Sequence, residues 1–285
     1  MTQDTPSSAD TAQSPDTAQS SPLSGRTVGF LGVGEIGRAM VTGLADSGHP
    51  HDRIVLSPRG ADNVSALTAQ YPDLTVATDN QAVVRSSDVV VLAVRTDQAE
   101  ELLAEVDFHD GQTLVSAVAE LSIERINAAG PQASGKLVQV TRCIPLPPVD
   151  RREGTTVFAP PDPVTQALFD ALGRGVAVAD QRALLPFSVL TATFTGYLQY
   201  LRTLVDRAVS HGVERSAAEA FVRSSFAALS PALRDESRSF DQLVTDHETP
   251  GGLNEAFRTS AFDADTVAHI DAAFDALWDR IVEHH

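Results

Sequence analysis

The sequence predicts an α/β fold in its first half, with a doubly wound parallel sheet, followed by an all-helical second half. Apolar segments of strand length alternate with amphipathic helical segments up to about residue 181, and strand patterns stop there. Continuous apolar strands that alternate with helices are typical of a parallel sheet buried on both faces. With 285 residues, the chain is long enough for two domains that each bury a core.

The strands and helices follow one another in a regular order. The predicted strands are VGFL, RIVLS, LTVA, DVVVLAV, TLVSAV, KLVQVTR, TTVFA and GVAVA. The first predicted helix ends near Gly48. The other predicted helices of the first half cover about 61–70, 80–86, 98–106, 122–129 and 163–172.

The second half carries apolar residues at helical spacing and predicts long helices. One helix is expected over about 186–211, with Gly212 as its stop, and a last helix over about 263–282. Ser216 with Glu219 three residues later is a capping-box pattern, which predicts a helix start. Long apolar helices with too little chain to cover them favour a homodimer at least.

Residues 1–24 differ from the rest of the chain. They are mostly Ser, Thr, Asp, Gln, Ala and Pro, and the segment DTAQS occurs twice. A segment with so few apolar residues cannot bury a core, so it is predicted to be a disordered N-terminal tail.

Composition excludes several classes of partner and site. The net charge of −17 argues against nucleic acid and anionic membranes. Cys143 is the single cysteine, which excludes an intramolecular disulfide, and with no apolar targeting segment the expected compartment is the cytoplasm. No apolar run approaches the length of a membrane span. No metal site is predicted, because His284 and His285 stand alone at the terminus and no other cluster has ligand spacing.

The segment GVGEIG joins the first strand directly to the first helix. Gly32 would permit the tight turn, Gly34 would let the backbone approach a pyrophosphate, and Gly37 would let the helix pack closely on the strand. The free amides at the start of the helix would face the anion. The pattern in this context predicts a Rossmann-type dinucleotide-binding domain.

The end of the second strand bears on the choice of cofactor. An Asp or Glu there would bind the ribose 2′-hydroxyl of NAD, whereas this chain has Ser57-Pro58-Arg59. A hydroxyl and a guanidinium suit a 2′-phosphate, so NADP is predicted, with NADPH preferred over NADH. The alternative is that Arg59 is a solvated arginine in a turn.

These motifs resemble those of the pyrroline-5-carboxylate reductase family, which reduces a cyclic imine to proline with NAD(P)H. The resemblance lies in VGFLGVGEIGRAM, LSPR, ATDNQAVVRSSDVVVLAVRTDQAEELL, SAVAELSIERI, VTRCIPLPPVDRREGTTVFA and TPGGLN. It implies a nucleotide-binding domain, here residues 25–181, and an all-helical domain, here 182–285, that dimerises and helps to bind the substrate.

The resemblance also implies a set of cofactor-binding residues, which come from four turns. They include Asn80, which in the family contacts the adenosine ribose. The whole set is Gly32, Gly34, Glu35, Ile36, Gly37, Ser57, Arg59, Asn80, Ala93, Val94 and Arg95.

On the substrate side the sequence departs from the family pattern. Ile144-Pro145-Leu146-Pro147-Pro148 replaces Met-Pro-Asn-Thr-Pro, and Ala119-Glu120 replaces Ala-Gly after the fifth strand. The head of the long helix reads TATFTGYLQY, and Leu253-Asn254 replaces two threonines of the family's glycine loop. The cofactor half is therefore kept, while the substrate half is altered.

The loop TPGGLN breaks an otherwise helical region and is the candidate substrate site. The successive amides of Gly251 and Gly252, with a helix behind them, can bind a substrate carboxylate. Asn254 and Thr249 are the catalytic candidates, since an amide or a hydroxyl can donate a hydrogen bond to the substrate; Thr193 and Thr195 could supply a further hydroxyl. The alternative is a plain turn between helices.

Other polar residues have competing interpretations. Cys143 is expected to be a small buried residue rather than a nucleophile. Tyr197 and Tyr200 are expected to pack in the core, with a position in the site as the alternative. His247 is expected at the solvated surface, with a role as proton donor as the alternative. Glu120 could bind an amine-bearing substrate or reach solvent.

The resemblance and the residues together imply an NADPH-dependent reductase of a small cyclic imine, most simply pyrroline-5-carboxylate. One alternative is a reductase of another imine, a ketone or a deazaflavin. The other is a catalytically silent dimer that only binds NADPH. The altered substrate side motivates both alternatives.

Overall fold

The computed structural model of the chain describes residues 21–131 and 135–283. Most of the predicted disordered tail, residues 1–20, and the terminal His284 and His285 lie outside the described residues. Residues 21–24 form a turn in which Leu23 is fully buried. The folded chain therefore begins before residue 25, and Leu23, which was assigned to the tail, belongs to the core.

The described residues contain one sheet of eight strands with the order 3-2-1-4-5-6-7-8. In this order the first three strands run outward from β1, and the chain then crosses to β4 on its other side, as in doubly wound folds. The strands are β1 Val28–Leu31, β2 Ile54–Leu56, β3 Thr75–Val76, β4 Val89–Leu92, β5 Thr113–Ser116, β6 Gln139–Ile144, β7 Thr155–Ala159 and β8 Arg174–Ala177.

The strands pair in parallel with one exception, because β6 and β7 are antiparallel. The pairing of β6 with β7 therefore departs from the parallel arrangement that the strand pattern predicts. The physical reason is the short connection, in which residues 145–154 carry only a 3-10 helix, Pro147–Arg151. A parallel pair needs a crossover of about a dozen residues or more, usually with an α-helix.

The helices of the first half lie between the strands. Side-chain caps fix several of their starts: Asp79, Ser122 and Asp162 each accept a hydrogen bond from a first-turn amide. These helices are α1 Glu35–Ala45, α2 Ala61–Gln70, α3 Asn80–Ser86, α4 Thr96–Ala104, α5 Ile123–Ala129 and α6 Pro163–Ala171.

The sheet is buried on both faces. Along β4, Val89 and Val91 belong to one apolar cluster, whereas Val90 and Leu92 belong to the other. Alternate residues of a strand point to opposite faces, so each cluster is the core beneath one layer of helices. The predicted α/β doubly wound fold is confirmed.

The second half is helical throughout, as predicted. Its helices are α7 Leu185–Ala192, α8 Phe194–Ser210, α9 Arg215–Ala227, α10 Ser230–Arg234, α11 Phe240–Asp246, α12 Leu253–Ala261 and α13 Ala264–Glu283. Within the described ranges, no helix combines the length and apolar content that crossing a membrane requires.

Two details of the helical half differ from the prediction. The long helix is interrupted at Thr193, so that α7 and α8 are separate helices. The start of α9 is capped by the Glu214 carboxylate, which accepts a hydrogen bond from the Ala217 amide, and not by Ser216. Ser216 instead donates its hydroxyl to Glu214. A capping box does occur further on, between Ser239 and Gln242.

Candidate functional site

A cleft of about 530 Å³ lies at the carboxyl ends of β1, β2, β4 and β5. This edge is where doubly wound folds bind their ligands, next to the point at which the strand order reverses. Nine of the residues assigned to the cofactor line it: Gly32, Gly34, Glu35, Ile36, Ser57, Arg59, Ala93, Val94 and Arg95. Sequence reasoning missed Asn63, Gln98 and Ala117, which also line it.

The glycine turn has the space that a dinucleotide requires. Gly32 has a φ of +95°, a left-handed conformation that glycine adopts without strain. A side chain at Gly34 would meet nothing within 4 Å, so the turn is open to a pyrophosphate at the start of α1. A Cβ at Gly37 would come within 2.3 Å of the Gly32 carbonyl oxygen, so only glycine fits there. The residues present therefore fit a dinucleotide.

Two assigned cofactor residues lie outside this cleft. Gly37 packs against the turn, and Asn80 lines an adjoining pocket together with Arg59. Asn80 accepts a hydrogen bond of 2.7 Å from the buried Ser57 hydroxyl, which ties the end of β2 to the start of α3. The Arg59 guanidinium is exposed, and its contact with Glu105 is long, at 4.0 Å. It is therefore available to a charged ligand at this end.

A second cavity, of about 390 Å³, adjoins the cleft at Ala117. Its floor is formed by the ends of β5 and β6 and the turn after β5, and its roof by the helical half. Residues of α7, Ser188 and Thr191, and of α13, Leu277 and Ile281, line the roof. The second cavity therefore lies between the two halves of the chain and next to the cofactor cleft.

Arg142, in the second half of β6, lines this second cavity and is 6% exposed. Its Nη1 atom is buried and has no hydrogen-bond partner among the described residues. Burial lowers the pKa of the Arg142 guanidinium, and Cys143 and Glu124 oppose that shift. A buried guanidinium nitrogen without a partner is costly, and it is uncommon in folded proteins.

Cys143 is buried, as expected, and its thiol donates a hydrogen bond to the Ser116 carbonyl oxygen. Burial raises the pKa of the Cys143 thiol well above its ordinary value. A thiol in that state carries almost no thiolate at neutral pH. Cys143 therefore contributes a wall of the second cavity rather than a nucleophile.

Glu120 lies in the turn after β5 and lines the second cavity. Its φ of +57° places it in the left-handed region, which a residue with a Cβ adopts at a cost. The backbone of this turn is therefore the one that the family's glycine would favour, although the residue is a glutamate. Glu120 is exposed and also lines the cavity, so its position is compatible with both interpretations, contact with solvent and contact with a substrate.

The loop TPGGLN borders neither cavity within one chain. Its polar groups form hydrogen bonds with nearby residues of the same chain. The Gly251 amide donates to the Glu255 carboxylate, at 2.6 Å, and the Gly252 amide donates to the Thr249 carbonyl oxygen, at 2.7 Å. The Asn254 amide nitrogen donates to the His247 carbonyl oxygen, 2.6 Å. A carboxylate thus does bind the Gly251 amide, but it is one from the same chain.

The remaining candidates lie on the helical half. Tyr197 is half exposed, so the expectation that it belongs to a core was wrong for the single chain; Tyr197 and Tyr200 both contact Phe226 edge-on. His247 is exposed, as expected, and Thr193 and Thr195 are exposed too. No group of His, Cys, Asp and Glu suited to a metal occurs in the ranges that the structure describes.

Sequence reasoning missed the charged floor of the second cavity. Arg142 was part of the predicted strand KLVQVTR, and its position at the carboxyl end of an apolar strand was the available signal. The roof had no comparable signal, since Ser188, Thr191 and Leu277 are ordinary residues of amphipathic helices. Their role depends on how α7 and α13 pack on the sheet.

The fold and the cleft define the class of protein. Residues 27–120 match the family model described as "NADP oxidoreductase coenzyme F420-dependent", a stretch that includes every turn of the cofactor cleft. The chain has the fold of an NAD(P)-binding oxidoreductase.

Within that class, the resemblance to the pyrroline-5-carboxylate reductases is confirmed over most of the chain. Pyrroline-5-carboxylate reductase of Haemophilus influenzae is 25% identical over 252 residues, which cover 84% of this chain and 90% of that protein. The pyrroline-5-carboxylate reductase structure of Coxiella burnetii has a TM-score of 0.77 at 20% identity, covering 91% of this chain and 98% of that one.

A third similar protein was solved with its cofactor. It is pyrroline carboxylate reductase of Plasmodium falciparum, with NADP bound. Its TM-score is 0.71 at 16% identity, and the match covers 91% of this chain and 98% of that one. At this level of identity the likeness concerns the fold.

Proposed function

We propose that this chain is a cytoplasmic, NADPH-dependent reductase of a small cyclic imine, most simply pyrroline-5-carboxylate. The observation that carries the proposal is the meeting of the two cavities at Ala117. The glycine turn of the first cavity fits a dinucleotide. The second cavity is smaller, and charged residues form part of its wall. A substrate in the second cavity would lie beside the end of a cofactor in the first.

The direction of the cofactor follows from the cleft. Ser57 and Arg59 lie at the end of β2, where doubly wound folds bind the adenosine ribose. Ala93, Val94 and Ala117 also line the cleft, and Ala117 lines the second cavity as well. When bound, the reduced nicotinamide would supply a hydride for the imine carbon while the imine nitrogen keeps or takes up a proton.

The preference for NADPH rests on Arg59. Its guanidinium is exposed and forms only a long contact with Glu105, so it can pair with a 2′-phosphate in a fork geometry. The Ser57 hydroxyl is already engaged with Asn80, and its part would be to hold the end of β2 in place. No acidic residue stands at Ser57-Pro58-Arg59 to select the free 2′-hydroxyl of NAD.

The substrate loop would come from a second copy of the chain. Large apolar side chains are exposed along the described helical half, among them Phe194, Leu198, Phe221, Phe240 and Leu253. Such a surface favours a homodimer. In a dimer the loop with Gly251, Gly252, Asn254 and Thr249 could reach the partner's second cavity, and a substrate carboxylate would compete with Glu255 for the Gly251 amide.

The deciding experiment uses the full chain with pyrroline-5-carboxylate and follows the loss of reduced nicotinamide and the formation of proline. Turnover is expected with NADPH, and more slowly with NADH. Gly251→Val and Asn254→Ala should abolish turnover while NADPH still binds. Gly111→Val is the matched control, since Gly111, like Gly251, has a positive φ and open space around it.

One result would exclude the proposal. If NADPH binds but no five- or six-membered imine acid is turned over, the chain is not a reductase of this class. A panel that adds acyclic imines, ketones and a deazaflavin would then separate the two alternatives. Turnover of one of these would indicate another substrate, whereas NADPH oxidation that no added metabolite changes would indicate a silent binding protein.

A further inference from the structure

Arg142 is a buried cation that lines a cavity and forms no ion pair among the described residues. It is 6% exposed, it lines the second cavity, and its Nη1 atom lacks a hydrogen-bond partner among the described residues. Folded proteins pair nearly all their buried charges, because an unpaired one loses its hydration without compensation. Since Nη1 itself is closed to the cavity, an anion there would compensate the charge of the guanidinium rather than bond that atom.

We propose that Arg142 binds the carboxylate of the substrate in the second cavity. This inference rests on the proposed function and names the anchor that the single chain itself provides. A guanidinium and a carboxylate form short, charge-assisted hydrogen bonds, and these are stronger when water is excluded. Arg142 would share this role with the amides of Gly251 and Gly252, which in a dimer would approach the carboxylate from the partner chain.

The neighbours of Arg142 leave this site open. The charge of Glu124 acts on the Arg142 guanidinium, but Glu124 is exposed and accepts a hydrogen bond of 2.7 Å from Gln181. Cys143 next to it is a thiol that donates to the Ser116 carbonyl oxygen. Arg280 also lines the cavity.

The position of Arg142 suits a substrate that must also reach the cofactor. Arg142 is paired in register with Ser116, and Ala117, the next residue, is shared by the two cavities. A carboxylate on Arg142 would therefore lie one strand away from the end of the cofactor cleft. A small ring with its carboxylate next to the imine spans a gap of this kind.

Glu120 provides a second charged group in the same cavity, and it would favour substrates with a positive charge. Its carboxylate lines the wall that also carries Arg142, yet the two do not form an ion pair within the described residues. A protonated ring nitrogen would be favoured near Glu120, and a carboxylate near Arg142. The cavity thus suits a small zwitterion, such as a cyclic imino acid with a protonated nitrogen.

The test compares Arg142→Met with wild type on two substrates that differ only in the carboxylate, pyrroline-5-carboxylate and 1-pyrroline. Wild type should prefer the first, and Arg142→Met should lower kcat/KM for it by about 10- to 100-fold, mainly through KM. The rate on 1-pyrroline should change by less than about threefold. Arg142→Lys should restore part of the preference.

The control is Arg125→Met, in the same domain, because Arg125 is exposed and already paired with Glu100 at 2.9 Å. It should leave the preference unchanged. NADPH affinity should be equal in all variants, and Arg142→Met without substrate should be at least as stable as wild type, since an unpaired buried charge is removed. A purely structural arginine would instead lose stability and affect both substrates equally.

A second measurement does not depend on turnover. With NADP bound, wild type should bind proline more tightly than pyrrolidine by calorimetry, and Arg142→Met should bind them alike. If wild type turns over neither imine but shows this pattern, the proposed function fails while the anchor stands. If turnover occurs and the variant keeps the wild-type preference, or if wild type does not favour proline, the anchor is refuted.

Discussion

Single residues decide what the second cavity can bind. Glu120 holds a left-handed backbone conformation, and Arg142 holds a buried charge with an unpartnered nitrogen. Both are unfavourable for the folded chain alone. Residues that cost stability while bordering a cavity are frequently the ones that act on a ligand, and both belong to the floor formed by the ends of β5 and β6.

Glu120→Gly is expected to raise the free energy of unfolding by about 0.5–1 kcal/mol. The left-handed conformation costs a residue with a Cβ about 1–2 kcal/mol, and glycine removes this cost. Glycine also loses more conformational entropy on folding, which offsets about 0.5–1 kcal/mol of the gain. Urea unfolding of both proteins would measure the difference. The turnover of a zwitterionic substrate should fall at the same time.

A suitable control for Glu120→Gly is Glu120→Ala. It removes the carboxylate but keeps the Cβ, so it should lower turnover without the gain in stability. If the glycine variant is no more stable than the alanine variant, the turn after β5 is not strained.

At the scale of elements, the first turn and α1 form the best-specified part of the molecule. The turn needs three glycines for three different reasons, and only one of them concerns the ligand directly. Gly37 allows α1 to pack on the turn, with 2.3 Å between its missing Cβ and the Gly32 carbonyl oxygen, whereas Gly34 has nothing within 4 Å of that position.

Substitutions at these two glycines should therefore separate folding from binding. Gly37→Ala is expected to destabilise the chain by about 1–3 kcal/mol, because the backbone must move to admit the methyl group. Gly34→Ala should leave stability within about 0.5 kcal/mol but weaken NADPH binding, since the methyl fills the space of the pyrophosphate. Thermal unfolding and NADPH fluorescence titration measure the two effects, and equal behaviour of both variants would contradict this division.

The elements that could be predicted from sequence are those whose signal is local. The bounds of α2 and α3 follow from their apolar period and caps, and the glycine turn follows from its neighbours in the chain. The antiparallel pairing of β7 and the break at Thr193 could not be predicted in this way. The first depends on the length of a connection. At the second, the Thr193 hydroxyl donates to the Leu190 carbonyl oxygen, and such bonds compete with the regular helical pattern.

At the scale of the whole molecule, the two halves differ in how many of their large apolar side chains are exposed to solvent. The large apolar side chains exposed among the described residues lie mostly between residues 190 and 282, and only Val76 and Leu137 are exposed before that. The division into 25–181 and 182–285 stays a prediction, because α7 packs onto the first half. The exposed helical surface is the basis for expecting a dimer.

Leu198→Asp is expected to dissociate that dimer. Leu198 is 61% exposed in the single chain, so the charge costs the monomer little, but it would be buried without a partner in an interface. Leu137→Asp is the control, since Leu137 is 82% exposed on the first half. Sedimentation velocity should show a monomer for the first variant and wild-type behaviour for the second; a monomeric wild type would refute the proposal.

Dissociation should also reduce turnover if the loop with Gly251 acts on a partner's cavity. In that case Leu198→Asp would lose activity while it still binds NADPH. If the monomeric variant keeps full activity, the floor residues are sufficient and the loop is a plain turn.

The roof of the second cavity has a consequence for how the molecule is made. The cofactor cleft is lined by residues 32–117, whereas the second cavity also needs Leu277 and Ile281 of α13. Chains emerge from the ribosome from the N-terminus, and domains generally fold in that order. The nascent chain would therefore hold its nucleotide pocket before its second cavity exists, because the second cavity can form only after α13 has been made.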